Sequence, residues 1–299
     1  MWAFAGLLSA LFLGIYDIFK KTSLNGNAVM PVLFFATLTS TFIFLPVVIG
    51  SQFFPETFSS IGLYSPNLNF TQHLQVFLKS VIVVSSWILA FFAMKHLPVT
   101  VFSPIRATGP FWTLVGALFI FHEKLNFLQW IGVLVTLLFF YLFSTTGKKE
   151  GIEYKSNKWI WFIVGGTLLG AVSGLYDKFI ISRIDRIAVQ VWFSFYQVVI
   201  LLPVLAIFWF PGRKKTTPFR WRWSIPAIGL TLVIADFLYF YALSCDGSMI
   251  SIISALRRVS VLVTFAFGAF VLGEVNLKQK GIYLLGILAG TLLMTLGSG

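Results

Sequence analysis

The chain has 299 residues, of which 58% are hydrophobic and only 11% are charged, with a mean hydropathy of +0.90. Soluble globular domains carry about 25% charged residues, so this composition excludes a water-soluble protein and indicates an integral membrane protein. The net charge of +12 does not indicate a nucleic-acid partner, because the basic residues lie mostly in short gaps between apolar segments. The single cysteine excludes a disulfide within the chain.

Ten apolar segments are long enough to cross a bilayer as helices, which takes roughly 20 residues each. In chain order they are residues 2–20, 30–50, 76–95, 98–121, 126–145, 158–180, 187–210, 223–244, 248–271 and 278–297. The sequence therefore predicts an all-α, multi-pass membrane protein with ten transmembrane helices. We expect it in the inner (plasma) membrane, with the lipid bilayer as its constant partner.

Two motifs occur once in each half of the chain and in the same order. Gly14-Ile15-Tyr16-Asp17 matches Gly174-Leu175-Tyr176-Asp177, and Ser103-Pro104-Ile105-Arg106 matches Ser254-Ala255-Leu256-Arg257. Because five helices per repeat is an odd number, the second copy must be inverted relative to the first. Inverted repeats are typical of alternating-access transporters, with the substrate near the midplane between the halves. We predict two inverted five-helix repeats around a central cavity: residues 1–147 and 158–299, joined by a linker at 148–157.

A third repeated element resembles a known family. Leu272-Gly273-Glu274, followed by Gln279, is similar to the EamA domain of the drug/metabolite transporter superfamily, and Phe121-His122-Glu123 with Gln129 is a looser first copy. The resemblance covers nearly the whole chain as two copies. It implies a ten-helix basket with a central cavity that exports or exchanges small organic solutes. Substrates in that superfamily range from amino acids to nucleotide sugars.

The basic residues are distributed unequally between the two predicted membrane faces. The loops after helices 1, 3, 5, 7 and 9 hold 14 Lys and Arg residues, and the opposite face holds five, with Lys79 and Lys178 counted among those five. Since cytoplasmic loops carry the excess of Lys and Arg, we predict that both termini lie outside. Members of the EamA family often have both termini in the cytoplasm, so the charge count and the resemblance disagree here.

Four charged residues fall deep inside predicted spans: Arg106, Asp236, Arg257 and Arg258. A charge at the bilayer centre costs at least ~2.5–3.5 kcal/mol, so each needs a partner or a wet cavity. Asp236 and Arg257 lie at equal distances from the turn at Asp246-Gly247. We therefore expect Asp236 to pair with Arg257 or Arg258, either to bind solute or only to fix helix packing.

Arg106 has no carboxylate at its own depth, because the position that matches Asp236 in the first half is Trp87. It could stack on Trp87, bond backbone carbonyls beside Pro104, or find its partner on another helix or on an anionic substrate. Three cations against one anion leave two positive charges unmatched. A bound anionic or zwitterionic solute, such as an amino acid or another metabolite, would explain that surplus.

Further polar residues are candidates for gating or for lining the cavity. Tyr16-Asp17 and Tyr176-Asp177 are candidates for gates or proton coupling, although the carboxylates could instead extend to the helix ends beside Lys20 and Lys178. In the seventh predicted helix Gln190 and Gln197 share a face, near Tyr196. These side chains line the cavity or make interhelical hydrogen bonds.

No catalytic, metal-binding or phosphate-binding motif is recognisable, so we expect no enzyme activity and no cofactor. The sequence favours a secondary transporter, an exporter or exchanger of a small-molecule solute. A non-transporting scaffold or a lipid scramblase is the alternative. Whether the protein forms a homodimer stays open.

Overall fold

The computed structural model describes residues 1–97, 105–106, 108–144, 157–213, 217–260, 263 and 277–297. Throughout these ranges the regular structure is helical. The helices are α1 (Trp2–Leu24), α2 (Val29–Phe53), α3 (Pro55–Ser60), α4 (Phe70–His96), α5 (Gly109–Ile120), α6 (Phe127–Ser144), α7 (Lys158–Ile181), α8 (Arg186–Val204), α9 (Ser224–Ser244), α10 (Ile250–Leu256) and α11 (Leu277–Leu296). A π-helical turn (Leu205–Trp209) extends α8, and a 3₁₀ turn (Arg257–Val259) extends α10.

Six of these helices are long and apolar enough to cross a membrane: α1, α2, α4, α7, α8 with its π-helical extension, and α9. Three shorter apolar helices, α5, α6 and α11, add to them within the described ranges. The all-helical membrane architecture is therefore confirmed. The predicted spans at 98–121 and 248–271 include residues outside the described ranges, so the total of ten spans stays a prediction.

Helix α4 begins six residues before the predicted start at residue 76, and a capping box at its N-terminus explains why. The Asn69 side chain accepts a hydrogen bond from the Gln72 amide, and the Gln72 side chain accepts one from the Asn69 amide. This reciprocal arrangement satisfies two backbone donors and fixes the helix start. As a result Lys79, whose charge the sequence count assigns to a membrane face, lies nine residues inside the helix, roughly 14 Å from its end.

Contacts between loops define two faces of the helical bundle. One of them is called the Asp177 face. There Glu123 contacts the start of α10, and the Asn126 side chain before α6 donates to the Gly297 carbonyl beyond α11. The α7–α8 and α9–α10 loops lie at this face as well. At the opposite Asp17 face, the Asn27 side chain bonds the Arg220 carbonyl, and His96 stacks on Trp159 with ring centroids 3.7 Å apart. These contacts agree with successive helices that run in opposite directions.

Helix pairing relates the first half of the chain to the second. The most extensive contacts join α1 to α9, α6 to α11 and α4 to α7, followed by those of α4 with α8, α2 with α9 and α2 with α8. Close approach depends on small residues: a Cβ on Gly132 of α6 would lie 2.7 Å from the Gly290 carbonyl oxygen of α11. Gly286 and Gly290 of α11 likewise lie close against α6, at Phe139 and Thr136. The result is a bundle in which helices from opposite halves interleave.

Candidate solute-binding and gating site

An ion pair joins α9 to the turn after α10. Arg257 Nη2 lies 3.1 Å from Asp236 Oδ1, and each side chain keeps 17% of its surface accessible. The guanidinium also lies over the Tyr239 ring, 4.2 Å from its centroid. The predicted pairing of Asp236 with Arg257 is confirmed, while its role in solute binding stays a prediction.

A second ion pair, between α4 and α7, is sealed from solvent. Lys79 Nζ lies 2.5 Å from Asp177 Oδ1, and the two side chains are only 2% and 7% accessible. The ammonium group contacts the Phe193 ring at 3.9 Å and the Phe240 ring at 5.0 Å. The Tyr239 hydroxyl interacts with the Asp177 carboxylate. This pair therefore connects four helices, since Phe193 belongs to α8 and both Tyr239 and Phe240 belong to α9.

Two sequence expectations about this region are wrong. Lys79 does not belong to the membrane face with which its charge is counted, because the capping box moves the start of α4 well before it. Asp177 does not extend to the helix end beside Lys178, since its partner is Lys79 on another helix. Lys178 instead donates hydrogen bonds to the carbonyl and hydroxyl oxygens of Ser248, at 2.7 and 2.5 Å.

The matching carboxylate near the other face is in a different environment. Asp17 Oδ1 lies 3.2 Å from Lys20 Nζ one turn along the same helix, and 39% of the Asp17 side chain is accessible. Lys20 also lies near the rings of Tyr16 and Phe91, at 5.0 and 5.3 Å. The expected proximity of Asp17 and Lys20 is confirmed. Tyr16 is buried, whereas Tyr176 is partly exposed and donates to the Gln75 carbonyl at 3.2 Å.

Arg106 and Arg258 lie on the Asp17 side of the Asp236–Arg257 pair. Arg106 is within electrostatic reach of Asp17 and Tyr16, so its anionic neighbour comes from another helix. Among the described residues it makes no cation–π contact with Trp87, which packs instead against two apolar clusters. Arg258 is within reach of Arg106, Arg257 and Asp17. The Nε atom of Arg258 is buried and has no hydrogen-bond partner in the described part of the chain.

These groups form a single set, the charge cluster, that extends from one side of the bundle interior to the other. Within the described ranges its five cations are Lys20, Lys79, Arg106, Arg257 and Arg258, and its three anions are Asp17, Asp177 and Asp236. Five positive charges against three leave two in excess. The sequence predicted the same surplus from fewer residues, because the Lys79–Asp177 and Lys20–Asp17 pairs each add one charge of each sign.

The glutamines of α8 are buried, and one makes an interhelical bond. Gln190 Nε2 donates to the Val233 carbonyl of α9 at 2.8 Å, which agrees with the interhelical alternative for this residue. Gln197 is also buried, and its Nε2 has no hydrogen-bond partner in the ranges described. The Tyr196 hydroxyl lies 2.9 Å from His73 Nδ1 near the start of α4. The lining of a cavity by these three side chains stays a prediction.

Glu123 is an additional contact at the Asp177 face. Its carboxylate accepts hydrogen bonds from the backbone amides of Ile250 and Ser251 and a short one from the Ser251 hydroxyl. A carboxylate at this position satisfies amides that have no intrahelical partner at the start of α10. A cavity of 350 Å³ lined by described residues lies at the surface beside the α7–α8 loop. The central cavity stays a prediction.

Comparisons with known proteins agree with this arrangement. A solved structure described only as "Crystal structure of protein" has a TM-score of 0.71 at 14% identity, covering 99% of this chain and 95% of that chain. It establishes similarity of fold alone. No curated protein matches. The model of the EamA-like transporter family matches residues 1–145 and 157–296, which confirms the resemblance carried by the repeated Glu motif. The chain belongs to the EamA-like transporter family, a family of membrane transporters.

Proposed function

We propose that this protein is a secondary transporter, an exporter or exchanger, that moves a small anionic or zwitterionic organic solute by alternating access. The observation that carries the proposal is the surplus of two positive charges among the described residues of the charge cluster, together with the Nε of Arg258, which has no hydrogen-bond partner in those residues. A buried donor of a charged group that lacks an acceptor is costly in an apolar medium. A solute carboxylate or phosphate bound there would supply the missing negative charge.

The residue type supports an anionic group on the solute. A guanidinium presents a planar fork of donors that matches a carboxylate or phosphate and binds it through two parallel hydrogen bonds. Arg258 is within electrostatic reach of both Arg106 and Arg257, so one anion could contact more than one fork. Asp17, accessible beside them, is a candidate partner for an amino group if the solute is a zwitterion.

The pairing of helices supports alternating access. Each helix of the first half has a counterpart in the second: α1 corresponds to α7, α2 to α8, α4 to α9 and α6 to α11. When every helix is replaced by its counterpart, the α1–α9 pair becomes the α7–α4 pair, and the α2–α8 and α6–α11 pairs stay the same. We infer two inverted repeats, 1–147 and 158–299, as the moving units. The matching carboxylates differ in accessibility, at 39% for Asp17 and 7% for Asp177. Such a difference is expected when one side of a transport path is open and the other is closed.

A ligand screen on purified protein tests this proposal. Thermal unfolding is followed against amino acids, organic acids, sugars and nucleotides, because a ligand of the folded state raises stability with the logarithm of its concentration over Kd. Solutes that stabilise the protein are then tested for uptake into proteoliposomes. We expect Arg106→Gln and Arg257→Gln to abolish both stabilisation and uptake while the protein still inserts and folds.

The same experiment distinguishes the alternatives. A scaffold would lose only stability in these variants and would show no solute uptake before substitution. A scramblase would flip labelled lipid in vesicles without any dependence on solute. If bulky hydrophobic cations alone stabilised the protein, the anion site would be contradicted.

A further inference from the structure

We propose that the Lys79–Asp177 ion pair is an interhelical lock that keeps the Asp177 face closed, and that Asp236 links this lock to the solute-binding arginines. This inference rests on the transport function proposed above. It assigns a role to Lys79, which the repeated motifs did not identify. The argument depends on the position of the pair, on its burial and on its neighbours.

The first step is the position of the pair between helices from opposite halves. Lys79 belongs to α4 and Asp177 to α7, so the two helices cannot separate near this face without breaking a 2.5 Å contact. Both charges are almost completely buried, and two aromatic rings cover the ammonium group. Separating such a pair without water is unfavourable, so separation must accompany entry of water at this face.

The second step is the contrast with the matching position near the other face. By the offset of 149 that relates Trp87 to Asp236, the residue that corresponds to Lys79 is Ile228 of α9, which packs against buried Tyr16. Asp17 therefore has no lysine across the α1–α9 contact and pairs with Lys20 on its own helix. A pair within one helix does not hold two helices together. The lock is thus present at one face alone among the described residues.

The third step is the link to the arginines. Lys79 is within electrostatic reach of Asp236 as well as in contact with Asp177. Asp236 in turn is held by Arg257. An anion that binds Arg257 would weaken its hold on Asp236, and the released carboxylate would compete with Asp177 for Lys79. Solute binding would then loosen the contact between α4 and α7. Tyr239, which is within electrostatic reach of Asp177 and in contact with Arg257, lies between the two pairs.

A cysteine introduced at the buried position of Ser173, one turn before Asp177, would report on the lock. Ser173 lies on the same face of α7 as Asp177 and is buried. The reporter is Ser173→Cys in a Cys245→Ser background, since Cys245 is the chain's single cysteine. In purified protein we expect slow reaction with a polar maleimide. Lys79→Met with Asp177→Asn removes both charges, and labelling should become about tenfold faster, equivalent to about 1.4 kcal/mol.

Two controls separate a lock from general loosening. Ser9→Cys in the same background reports on the α1–α9 contact, where Ser9 is buried and bonds the Ala235 carbonyl. Its labelling rate should not change when the lock is neutralised, and equal acceleration at both reporters would contradict the proposal. The charge-reversed Lys79→Asp, Asp177→Lys variant should restore slow labelling. If the neutral variant fails to insert, the reversed variant decides the question, and fast labelling there would overturn the lock.

The link through Asp236 has its own test. Arg257→Gln should accelerate labelling at residue 173, because Asp236 is then free to compete for Lys79. Adding Asp236→Asn to that variant should return labelling to the slow rate. An unchanged rate in Arg257→Gln contradicts the link. The labelling experiments do not depend on transport, so the two proposals can fail separately. If labelling behaves as expected but the protein takes up no solute, the transporter proposal alone is refuted. If the protein takes up solute but labelling is unchanged in the neutral variant, the lock alone is refuted.

Discussion

Arg258 is a cation in the bundle interior whose nearest charged neighbours include two further arginines. Like charges at close range destabilise one another, and the buried Nε has no acceptor in the described part of the chain. A residue of this kind lowers the stability of the empty protein and is retained where a ligand compensates for it. Stability and binding are therefore expected to respond in opposite directions when the charge is removed.

We predict that Arg258→Gln weakens solute binding about ten- to a hundredfold, since a hydrogen bond to a charged group contributes ~1.5–3 kcal/mol. The same substitution should leave the melting temperature of the ligand-free protein unchanged or raise it. Arg258→Lys keeps the charge but not the planar fork, so its binding should be intermediate. Thermal unfolding with and without the stabilising solute measures both quantities. A lower melting temperature with unchanged binding would indicate a packing role.

Sequence reasoning succeeded at this scale where distance along a helix was sufficient. Asp236 and Arg257 lie equally far from one turn, and their contact follows from that equality. Lys79 was missed because an apolar count cannot detect the capping box at Asn69 and Gln72 that lengthens α4. The signal was present in the sequence, since Asn followed three residues later by Gln is a helix-start pattern.

At the scale of helices, the backbones of α6 and α11 approach each other closely at Gly132 and Gly290. A Cβ on Gly132 would lie 2.7 Å from the Gly290 carbonyl oxygen and 2.8 Å from the Met294 amide nitrogen. Backbone atoms cannot move aside as a flexible side chain can. These two helices are therefore held at a separation that only glycine permits, as is common where membrane helices associate through small residues.

Gly132→Ala should destabilise the protein, because the added methyl group must force α6 and α11 apart. Gly170→Ala in α7 is the matched control: its Cβ would meet the Ser86 hydroxyl at 3.5 Å, an ordinary contact. Removing a helical glycine without a clash stabilises by about 0.5–1 kcal/mol. Thermal unfolding in detergent should thus show opposite signs for the two variants. Equal effects would mean that the close approach contributes little.

Element boundaries were predictable where hydropathy alone defines them, as for α1, α7 and α9. The π-helical turn that extends α8 beyond Val204 and the short α3 were not expected. Pro203 removes one backbone hydrogen-bond donor near the π-helical turn. The short helix α3 lies in a loop between spans and begins at Pro55, a residue favoured in the first helical position. Both features depend on local backbone chemistry that an average over an apolar segment does not reveal.

At the scale of the whole molecule, the two faces differ in charge. Lys79 and Lys20 both belong to the charge cluster, and removing them leaves four basic residues predicted for the Asp177 face against 13 predicted for the Asp17 face. The positive-inside rule therefore favours a cytoplasmic Asp17 face more strongly than the sequence count did. The Asp177 face, which includes the α9–α10 loop and Cys245, should then lie outside.

Cys245 allows this orientation to be tested without engineering. It is partly exposed and is the single cysteine of the chain. A membrane-impermeant maleimide should label it in intact cells. Asn25→Cys in a Cys245→Ser background places the thiol on the exposed α1–α2 loop, where labelling should require permeabilised cells. The reverse pattern would show that the positive-inside count misleads for this protein.

The backbone changes its pitch at Arg257–Val259, where α10 gives way to a 3₁₀ turn. With three residues per turn, successive side chains diverge by about 120°. Two identical neighbours can therefore point toward different parts of the molecule: Arg257 bonds Asp236, while Arg258 is within reach of Arg106 and Asp17. One peptide unit thus bridges charges contributed by the two halves of the chain. Because one planar peptide unit joins the Cα atoms of Arg257 and Arg258, a movement of this turn is expected to displace both guanidinium groups together.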